Sequence, residues 1–216
     1  SNRIMSLFQK FYIKIFLLIS KKVFFLGKGE IIEAEKKWKT FRKKFVFLPF
    51  SVDFKFWNNE EYLQEVRDKI LFIGNDGKRD FDLILQIAEQ LPEFEFVFIT
   101  SQINKTDLKS SNINLIKGKW NENYLSEEEI KKHYTSSAMT LIPLKNSYQP
   151  SGQSVCLQSM ACGTPVIISK TKGFWDIENF EDNTNIIFID DNAINTWTKK
   201  IKETYNDKNL LDKLSK

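Results

Sequence analysis

The feature that most constrains the fold is an alternation of short apolar runs with amphipathic segments between residues 69 and 205. The runs predicted to form strands are 69–73, 94–99, 113–116, 139–142, 166–168 and 186–189. Strands that are apolar throughout are buried on both faces, which is typical of a parallel sheet covered by helices. The chain is therefore predicted to be α/β, with a parallel sheet of about six strands and helices on both faces.

The segments between these runs carry helix signals. Ser126 and Glu129 have the spacing of a capping box, the segment 153–162 is predicted to be helical, and Asn192 is predicted to cap a last helix over 193–205. Ligands of such sheets bind beyond the carboxyl ends of the strands. The site is therefore expected in the loops that end the strands, and those loops follow Ile73, Ile116, Ile142 and Ile168.

The first 52 residues do not join this alternation. They are predicted to form a helix, a short strand at 23–26, a second helix near 30–41 and a strand at 45–48. We place a domain boundary near residue 52, which divides the chain into residues 1–52 and residues 53–216.

The segment 4–19 is strongly apolar but is interrupted by Lys10 and Lys14. It is shorter than the roughly 20 apolar residues that span a bilayer, and it lacks the small-residue cleavage site of a signal peptide. Two interpretations stay open. It is an amphipathic helix packed on protein, or a basic helix that lies on a membrane surface.

Charge and cysteine content restrict the partners. The formal net charge of +4 favours an anionic ligand but does not call for nucleic acid, so no nucleic acid partner is expected. Cys156 and Cys162 lie in one predicted helix and suggest neither a disulfide framework nor a zinc site. A reducing cytoplasm fits this cysteine usage best.

The loop at 148–154 is the first candidate for binding. It enters a helix through Ser151, Gly152, Gln153 and Ser154. Glycine permits close approach of the backbone, and a helix start offers unpaired N–H groups at the positive end of its dipole. This arrangement suits a phosphate, although an ordinary serine-capped helix would have the same sequence.

The loop at 74–80 is the second candidate. It follows the first strand and precedes a helix, and its Lys78 and Arg79 offer positive charge. Arg79 could contact a diphosphate through two donors, although a solvated turn is the alternative for a lone basic pair. A cationic loop and a helix start at one sheet edge are together what a nucleoside diphosphate requires.

Four segments resemble the C-terminal domain of group 1, or family 4, glycosyltransferases. They are LPFSVD (48–53), ILFIGNDGKRDFDLILQIAEQLP (70–92), NINLIKG (112–118) and QPSGQSVCLQSMACGTPVI (149–167). The last is the most specific, because it is similar to the family segment Glu-x7-Glu followed by Ala-Met-Ala-x-Gly-x-Pro-Val. The resemblance implies the Rossmann-like C-terminal half of a GT-B fold, preceded by a helix-and-strand remnant of the acceptor-side domain over residues 1–52.

The resemblance also implies an activity. Such enzymes transfer a sugar, usually a hexose, from a nucleotide-diphosphate sugar with retention of configuration, and no metal or other cofactor is expected. The donor would be UDP- or GDP-linked, and the acceptor a cell-envelope glycan or a lipid-linked glycan of polysaccharide biosynthesis. A cytoplasmic location follows, with peripheral contact at the inner face of the membrane as an option.

Two positions depart from the glutamate pattern of the family. Pro150 stands where the first glutamate is expected near the sugar, so Gln149 or Gln153 would have to substitute for it. Gln158 stands where the second glutamate holds the ribose, and its amide can still donate and accept hydrogen bonds there.

The basic pair of the family falls on Asn75 and Arg79, so one of its two phosphate-binding cations is kept. Arg79 would stabilise the departing diphosphate. Trp120 is predicted either to stack on the base or to be structural, and Lys145 either to reach the phosphates or to be solvated. Arg79 and Gln153 are the predicted catalytic residues. The predicted donor-binding residues are Gly74, Asn75, Arg79, Lys119, Trp120, Lys145, Ser151, Gly152, Gln153, Ser154 and Gln158.

Length limits the predicted activity. A GT-B enzyme closes a cleft between two Rossmann-like domains, and the roughly 50 residues before the boundary are too few for a second sheet. We expect a fragment that binds a nucleotide sugar but does not complete transfer alone. A non-catalytic nucleotide-sugar-binding module and a GT-B-type nucleotide-sugar epimerase are the alternatives.

Overall fold

A computed structural model describes residues 2–60, 66–118 and 125–216. The N-terminal segment contains α1 (Asn2–Ile19), β1 (Val23–Phe25), α2 (Lys28–Lys37), a 3₁₀ segment (Lys39–Lys44) and β2 (Phe45–Phe47). The strands that follow are β3 (Lys69–Ile73), β4 (Phe96–Ile99), β5 (Ile113–Ile116), β6 (Ser137–Ile142), β7 (Val166–Ser169) and β8 (Ile187–Ile189). The helices among and after them are α3 (Phe81–Gln90), α4 (Glu127–Thr135), α5 (Gln153–Ala161), α6 (Ile194–Asn206) and α7 (Lys208–Leu214).

The last six strands form one parallel sheet, in the spatial order β5-β4-β3-β6-β7-β8. The prediction of a six-stranded parallel α/β fold is therefore confirmed. The chain crosses from one half of the sheet to the other between β5 and β6, so the direction of winding reverses between the neighbouring strands β3 and β6. Such a reversal opens a crevice at the carboxyl ends of the two strands. The loops after β3 and β6 flank that crevice.

Side chains alternate between the two faces of the sheet and build two apolar layers. Phe72 packs with Trp197 of α6 in one layer, whereas Leu71 packs with Tyr134 of α4 and Val155 of α5 in the other. All but Val155 are fully buried or nearly so. Helices cover both faces of the sheet, which explains why its strands are apolar on both sides.

Local predictions hold at one helix start and fail at another. Ser126 and Glu129 form the predicted capping box of α4. Asn192 does not cap α6, whose N-cap is Ala193 with no side-chain cap. The Asn192 amide instead donates to the Leu144 carbonyl at 2.7 Å and accepts from the Ser169 hydroxyl at 2.8 Å. The hydrogen bonds to the buried ends of β6 and β7 outweigh a capping preference here.

The N-terminal segment forms a small unit of its own. Strands β1 and β2 pair in parallel, and α2 with the 3₁₀ segment connects them. The ammonium of Lys44 donates to the carbonyls of Leu17 and Ser20 at 2.6 and 2.7 Å, and so closes the end of α1. In the described part of the chain, no helix has the length and hydropathy needed to cross a bilayer.

The helix predicted for the apolar N-terminal run is confirmed as α1, but it does not pack its apolar face on the described chain. Between residues 7 and 19 only Leu17 is buried. Phe11 and Leu18 are 60% and 59% exposed. Among the described residues, the chain itself therefore leaves this face exposed.

The N-terminal segment touches the sheet domain through the turn between β1 and α2. The backbone N–H of Lys28 donates to the Trp175 carbonyl at 2.9 Å, and the Lys28 ammonium lies 2.6 Å from a carboxylate oxygen of Asp176. The side-chain amide of Gln153 donates to the Leu26 carbonyl at 2.9 Å. The turn therefore lies against the first residue of α5, beside the predicted site.

Candidate functional site

The loops after β3 and β6 are joined by backbone hydrogen bonds. The N–H of Asp80 donates to the Pro143 carbonyl at 3.0 Å, and the N–H of Lys145 donates to the Lys78 carbonyl at 2.8 Å. Residues 79 and 144 form an isolated antiparallel bridge between these contacts. The prediction that the two loops meet at one edge of the sheet is thus confirmed.

Arg79 lies at the centre of this junction. Its side chain is 3% exposed, its Nε donates to the Ile73 carbonyl at 3.4 Å, and its Nη1 donates to the Ser151 hydroxyl at 2.9 Å. Gly74 makes this path possible, because a Cβ at that position would lie 2.3 Å from the Arg79 Nε. The guanidinium is therefore led from the loop after β3 to the start of α5.

Asp76 adds a carboxylate that the sequence analysis did not assign. One carboxylate oxygen lies 3.3 Å from Nη1 of Arg79, and the Ser151 hydroxyl donates to the same carboxylate at 3.1 Å. Asp76 is about half exposed, whereas Arg79 is buried. The signal that could have revealed it is its spacing, since Asp76 precedes Arg79 by three residues in the same turn.

The electrostatics of Arg79 favour an anionic ligand. Burial lowers the pKa of Arg79 from its ordinary value, and the charge of Asp76 partly offsets that effect. A guanidinium stays protonated in proteins, so this is a buried cation with a single half-exposed counter-charge among its described contacts. Burial removes water that would otherwise solvate it, which strengthens its attraction to a bound anion.

The start of α5 lies next to this cation. Gly152 is the N-cap residue with φ of +82°, a left-handed conformation that favours glycine, and a Cβ there would lie 2.9 Å from Ile142 and 3.3 Å from the Arg79 Nη1. No side chain caps α5 in the described structure. Its first N–H groups therefore remain available, at the positive end of the helix dipole.

Two contiguous cavities open from this point. One has a volume of about 410 Å³ and the other about 360 Å³, and both are lined by Asp76, Arg79 and Ser154. The first also touches Pro150 and Gln153, whereas the second extends over apolar side chains towards α4. Asp76 and Arg79 therefore lie where a cavity of mixed polarity meets a mainly apolar one, which suits a ligand that has charge at its middle.

Asn75 connects the ends of three strands. Its side-chain oxygen accepts from the Thr100 hydroxyl at 3.1 Å and from the Ser101 N–H at 2.6 Å, and its amide donates to the Gly118 carbonyl at 3.3 Å. The residue that replaces the first family cation thus makes neutral hydrogen bonds between loops. It also lines the second cavity.

Gln158 and Tyr134 form one wall of the second cavity. The Tyr134 hydroxyl donates to the Gln158 side-chain oxygen at 3.3 Å, which leaves the amide nitrogen of Gln158 as a donor towards the cavity. Burial raises the pKa of Tyr134 far above its ordinary value, so the phenol is neutral. Tyr134 was not predicted from the sequence, because its position at the last turn of α4 carries no motif.

Pro150 and Gln153 face the N-terminal segment as well as the first cavity. A Cβ on Gly27 would lie 3.1 Å from Pro150, so the proline ring packs against the turn that precedes α2. Gln153 is 8% exposed, and its side-chain amide N–H donates a hydrogen bond to the Leu26 carbonyl. The position of the first family glutamate is therefore occupied by an apolar contact between the two parts of the chain.

The remaining predicted residues are less well connected. Lys145 is exposed and lines neither cavity, although its backbone joins the two loops. Lys119 and Trp120 lie outside the described residues. The predicted base contact of this loop therefore stays a prediction.

Comparison with known families assigns the class to which the fold and site belong. The sequence model of the family described as "Glycosyl transferases group 1" matches residues 53–216. The chain belongs to this family. No curated protein matches the chain in sequence.

Solved structures share the fold at low sequence identity. TarM, named from S. aureus in one of its structures, is 17% identical over 95% of this chain and 41% of its own, with a TM-score of 0.74. The C-terminal domain of LpcC from Francisella tularensis, a glycosyl transferase group 1 family protein, is 16% identical over 77% of this chain and 93% of its own, with a TM-score of 0.58.

Anabaena HepE, in a structure with UDP and glucose, is 10% identical over 91% of this chain and 56% of its own, with a TM-score of 0.66. This chain therefore spans about two fifths of the length of TarM and a little over half that of HepE.

Proposed function

We propose that this chain is the donor-binding, C-terminal part of a family 4 glycosyltransferase and binds a nucleoside diphosphate sugar at the junction of the two loops. The observation that carries the proposal is the buried guanidinium of Arg79 at the uncapped start of α5. A cation and free backbone N–H groups at one point are the two elements that hold a diphosphate.

The two cavities suggest how the rest of the donor lies. The apolar cavity beside Tyr134 and Gln158 would take the nucleoside, with the Gln158 amide on the ribose hydroxyls. The first cavity, beside Gln149 and Pro150, would take the sugar. Each volume suits one part of such a ligand, and the shared Arg79 would then lie on the diphosphate between them.

The proposed reaction is a metal-independent transfer with retention. As the bond between the sugar and the phosphate breaks, negative charge grows on the leaving diphosphate. Arg79 and the N–H groups of residues 153 and 154 are positioned to stabilise that charge, which is the usual task of a metal or a cationic side chain. Gln153 would orient the sugar through its remaining amide oxygen, because its nitrogen is already bound to Leu26.

Ligands of neighbouring structures agree with a UDP-linked donor. The structure of HepE contains UDP and glucose, and that of a pneumococcal O-GlcNAc transferase, GtfA, contains UDP and GlcNAc. We propose a UDP- or GDP-linked hexose as the donor here and a cell-envelope or lipid-linked glycan as the acceptor, in the cytoplasm. The chain spans only part of these relatives, so it would supply the donor side of that reaction.

Binding of UDP, GDP and ADP to the chain tests the proposal, by calorimetry and thermal shift with and without EDTA. We expect one diphosphate to bind, and Arg79→Ala to weaken it by roughly tenfold to a hundredfold, which corresponds to loss of one charged hydrogen bond. Lys199→Ala on α6 removes the same charge far from the cavities and should leave affinity unchanged. Arg79→Lys, which keeps the charge, should fall between the wild type and the alanine variant.

Two results would refute this site. Either no diphosphate binds, or one binds equally well to the folded Arg79→Ala protein. Loss of binding in EDTA would refute only the proposal that binding needs no metal. The roles proposed for the side chains of the site would not be affected.

A non-catalytic binding module is the second candidate. It is favoured by Pro150, which places an apolar ring where the family has a carboxylate. Slow hydrolysis of a bound UDP-sugar without acceptor would support an enzyme, provided that Gln153→Ala slows it. Binding without any turnover, in the presence of the acceptor half of the protein, would support the binding module.

A further inference from the structure

Two side-chain amides and one carboxylate are among the described residues that line the second cavity, and their oxygens already have partners within the chain. The side-chain oxygen of Asn75 accepts from the N–H and the hydroxyl of Ser101 at 2.6 and 3.0 Å. The two carboxylate oxygens of Asp76 lie 3.1 and 3.2 Å from the Ser151 hydroxyl, and one of them also faces Arg79. These acceptors are therefore occupied before a ligand binds.

Gln158 is the other amide, and Tyr134 fixes its orientation. The Tyr134 phenol is fully buried and donates to the Gln158 side-chain oxygen at 3.3 Å. A buried hydroxyl needs an acceptor, so this contact favours the amide orientation that directs the oxygen to Tyr134 and the nitrogen to the cavity. Gln158 itself is only half-buried, so water can reach its amide nitrogen.

Donors, in contrast, are abundant in this cavity. They are the guanidinium of Arg79, the amide N–H groups of Gln158 and the uncapped N–H groups at the start of α5. A ligand hydroxyl can accept from these groups. Its own proton, however, meets no unoccupied amide or carboxylate oxygen among the described lining residues.

Helix geometry indicates which part of a ligand Gln158 meets. Ser154 lines both cavities, whereas Gln158 lines only the second and lies one turn further along α5. Residues four apart share a helix face and are about 6 Å apart along the axis. In a nucleoside diphosphate the ribose follows the diphosphate directly. A diphosphate held by Arg79 and the start of α5 would therefore place its ribose beside Gln158.

We propose that the second cavity does not select for a ribose 2′-hydroxyl, so that 2′-deoxynucleoside diphosphates and their sugars, such as those of thymidine, are bound nearly as well as the ribonucleotides. This inference rests on the proposed donor site. Strong selection for a hydroxyl arises when its absence leaves a buried polar group unpaired. Here the Gln158 oxygen keeps its bond from Tyr134 when the hydroxyl is missing. Tyr134 is thus a positioning residue for donor specificity.

The affinities of ribonucleotides and deoxyribonucleotides test the proposal. UDP, GDP and ADP are each compared with their 2′-deoxy forms by calorimetry on the whole chain. The ratio of the two dissociation constants is the readout, because any change that affects both nucleotides alike cancels in it. For the base that binds, we expect the deoxy form to bind at most about fivefold more weakly, which corresponds to one neutral hydrogen bond.

Gln158→Glu should create the missing selectivity. A carboxylate has two oxygens, so one can stay with Tyr134 while the other accepts from the 2′-hydroxyl. The added negative charge should weaken both nucleotides, but the ratio should rise to at least about tenfold in favour of the ribonucleotide. Gln86→Glu makes the same charge change at an exposed position on α3, outside both cavities, and should leave the ratio unchanged.

Tyr134→Phe tests the positioning role. Loss of the phenol hydroxyl frees the Gln158 oxygen to accept from the ribose, so the ratio should rise by roughly threefold. Tyr205→Phe is the matched control, because it removes a similar bond, from the Tyr205 hydroxyl to the Asp68 carbonyl at 3.4 Å, outside both cavities. Circular dichroism of each variant shows whether it is folded, and Gln158→Glu keeps the test available if Tyr134→Phe is not.

The outcomes separate this inference from the proposed function. If no diphosphate binds, the donor site and this inference both fail. If a ribonucleotide binds and its deoxy form binds to the wild type more than about fivefold more weakly, the inference is overturned and the donor site stands. An unchanged ratio in folded Gln158→Glu also overturns it, because that side chain would then not face the ribose.

Discussion

In α3, Leu83, Ile84 and Ile87 lie against the sheet and are at most 5% exposed, whereas in α1 Phe11 and Leu18 are about 60% exposed. Both helices have a continuous apolar face. The difference shows that an amphipathic pattern predicts that one face of a helix is packed, but it does not identify what that face packs on. In α3 the partner is the sheet of the same chain, whereas in α1 Leu17 alone is buried among the side chains that the structure describes.

Charge separates the same two regions. The 172 residues after Lys44 have twenty cations and twenty-five carboxylates, which nearly balance, and one buried guanidinium meets one carboxylate at the end of β3. The N-terminal segment instead has many exposed cations and few carboxylates. A single pair of charges defines a site for a small anion, while a dispersed excess of one sign suits an extended charged surface.

The largest expected effect compares one phenylalanine from each region. Phe72→Ala removes a fully buried ring from β3 and should lower the free energy of unfolding by about 3–5 kcal/mol. Phe11→Ala removes a ring that is 60% exposed on α1 and should change it by less than about 0.5 kcal/mol. Urea unfolding of both variants measures the difference. Equal losses would mean that α1 is packed on the core in solution.

The contact between the two regions gives the next effect. A Cβ at Gly29 would lie 2.7 Å from the Lys172 carbonyl, whereas a Cβ at Gly77 would meet nothing within 4 Å. Gly29→Ala should therefore destabilise the docked N-terminal segment by about 1–3 kcal/mol, and Gly77→Ala should be nearly neutral. Thermal unfolding combined with limited proteolysis of the N-terminal segment would detect this. A neutral Gly29→Ala would show that the contact does not persist.

Asp76 gives a smaller effect on binding. The Asp76 carboxylate would compete with a bound diphosphate for Arg79. Because Asp76 is half exposed, its removal should strengthen UDP binding only modestly, by roughly fivefold, or about 1 kcal/mol. Asp76→Asn keeps the shape of the side chain. Asp82→Asn, an exposed carboxylate at the start of α3, controls for the change in net charge. Weaker binding in Asp76→Asn would instead mean that the carboxylate is needed to orient Arg79.

The smallest effect concerns the pH dependence of docking. Burial alone would raise the pKa of Asp176, but hydrogen bonds from Lys28 and Asn179 outweigh it and hold that pKa below its ordinary value. A lowered folded-state pKa contributes stability above the ordinary aspartate value, and this contribution is lost as the pH falls below about 4. Proteolysis of the N-terminal segment with an acid-stable protease should become faster over that range. The increase should be smaller in Asp176→Asn, and an identical acid response would exclude this ion pair as its cause.

Much of the site could be predicted because it follows from the chain order. Loops after parallel strands lie at the carboxyl edge of the sheet, so the sequence could place the Arg79 loop and the start of α5 at one edge. Only the structure shows that β3 and β6 are neighbours. Asp76 and Tyr134 were not predictable in the same way. Asp76 matters only because the folded turn directs it at Arg79 and Ser151, and Tyr134 only because the last turn of α4 lies over Gln158.

Asn192 and Gln153 show why local patterns fail. Asn192 has the residue type and position of a helix cap, yet it bonds to the ends of β6 and β7 because those buried groups have no water to satisfy them. Gln153 was predicted to face a sugar, and its amide nitrogen also has a partner that the sequence does not indicate, the carbonyl of Leu26, which is 127 residues away. Neither partner is visible from nearby residues.

The sequence by itself determined the parallel sheet, the order of its loops and the apolar face of α1, because periodicity and burial are tied to local geometry. Tertiary structure alone decided how Arg79 is buried, which carboxylate opposes it and which part of the N-terminal segment reaches α5. The reason is physical. Residue spacing sets which side of an element a side chain occupies, but the distance and burial that control its charge depend on segments far away in the chain.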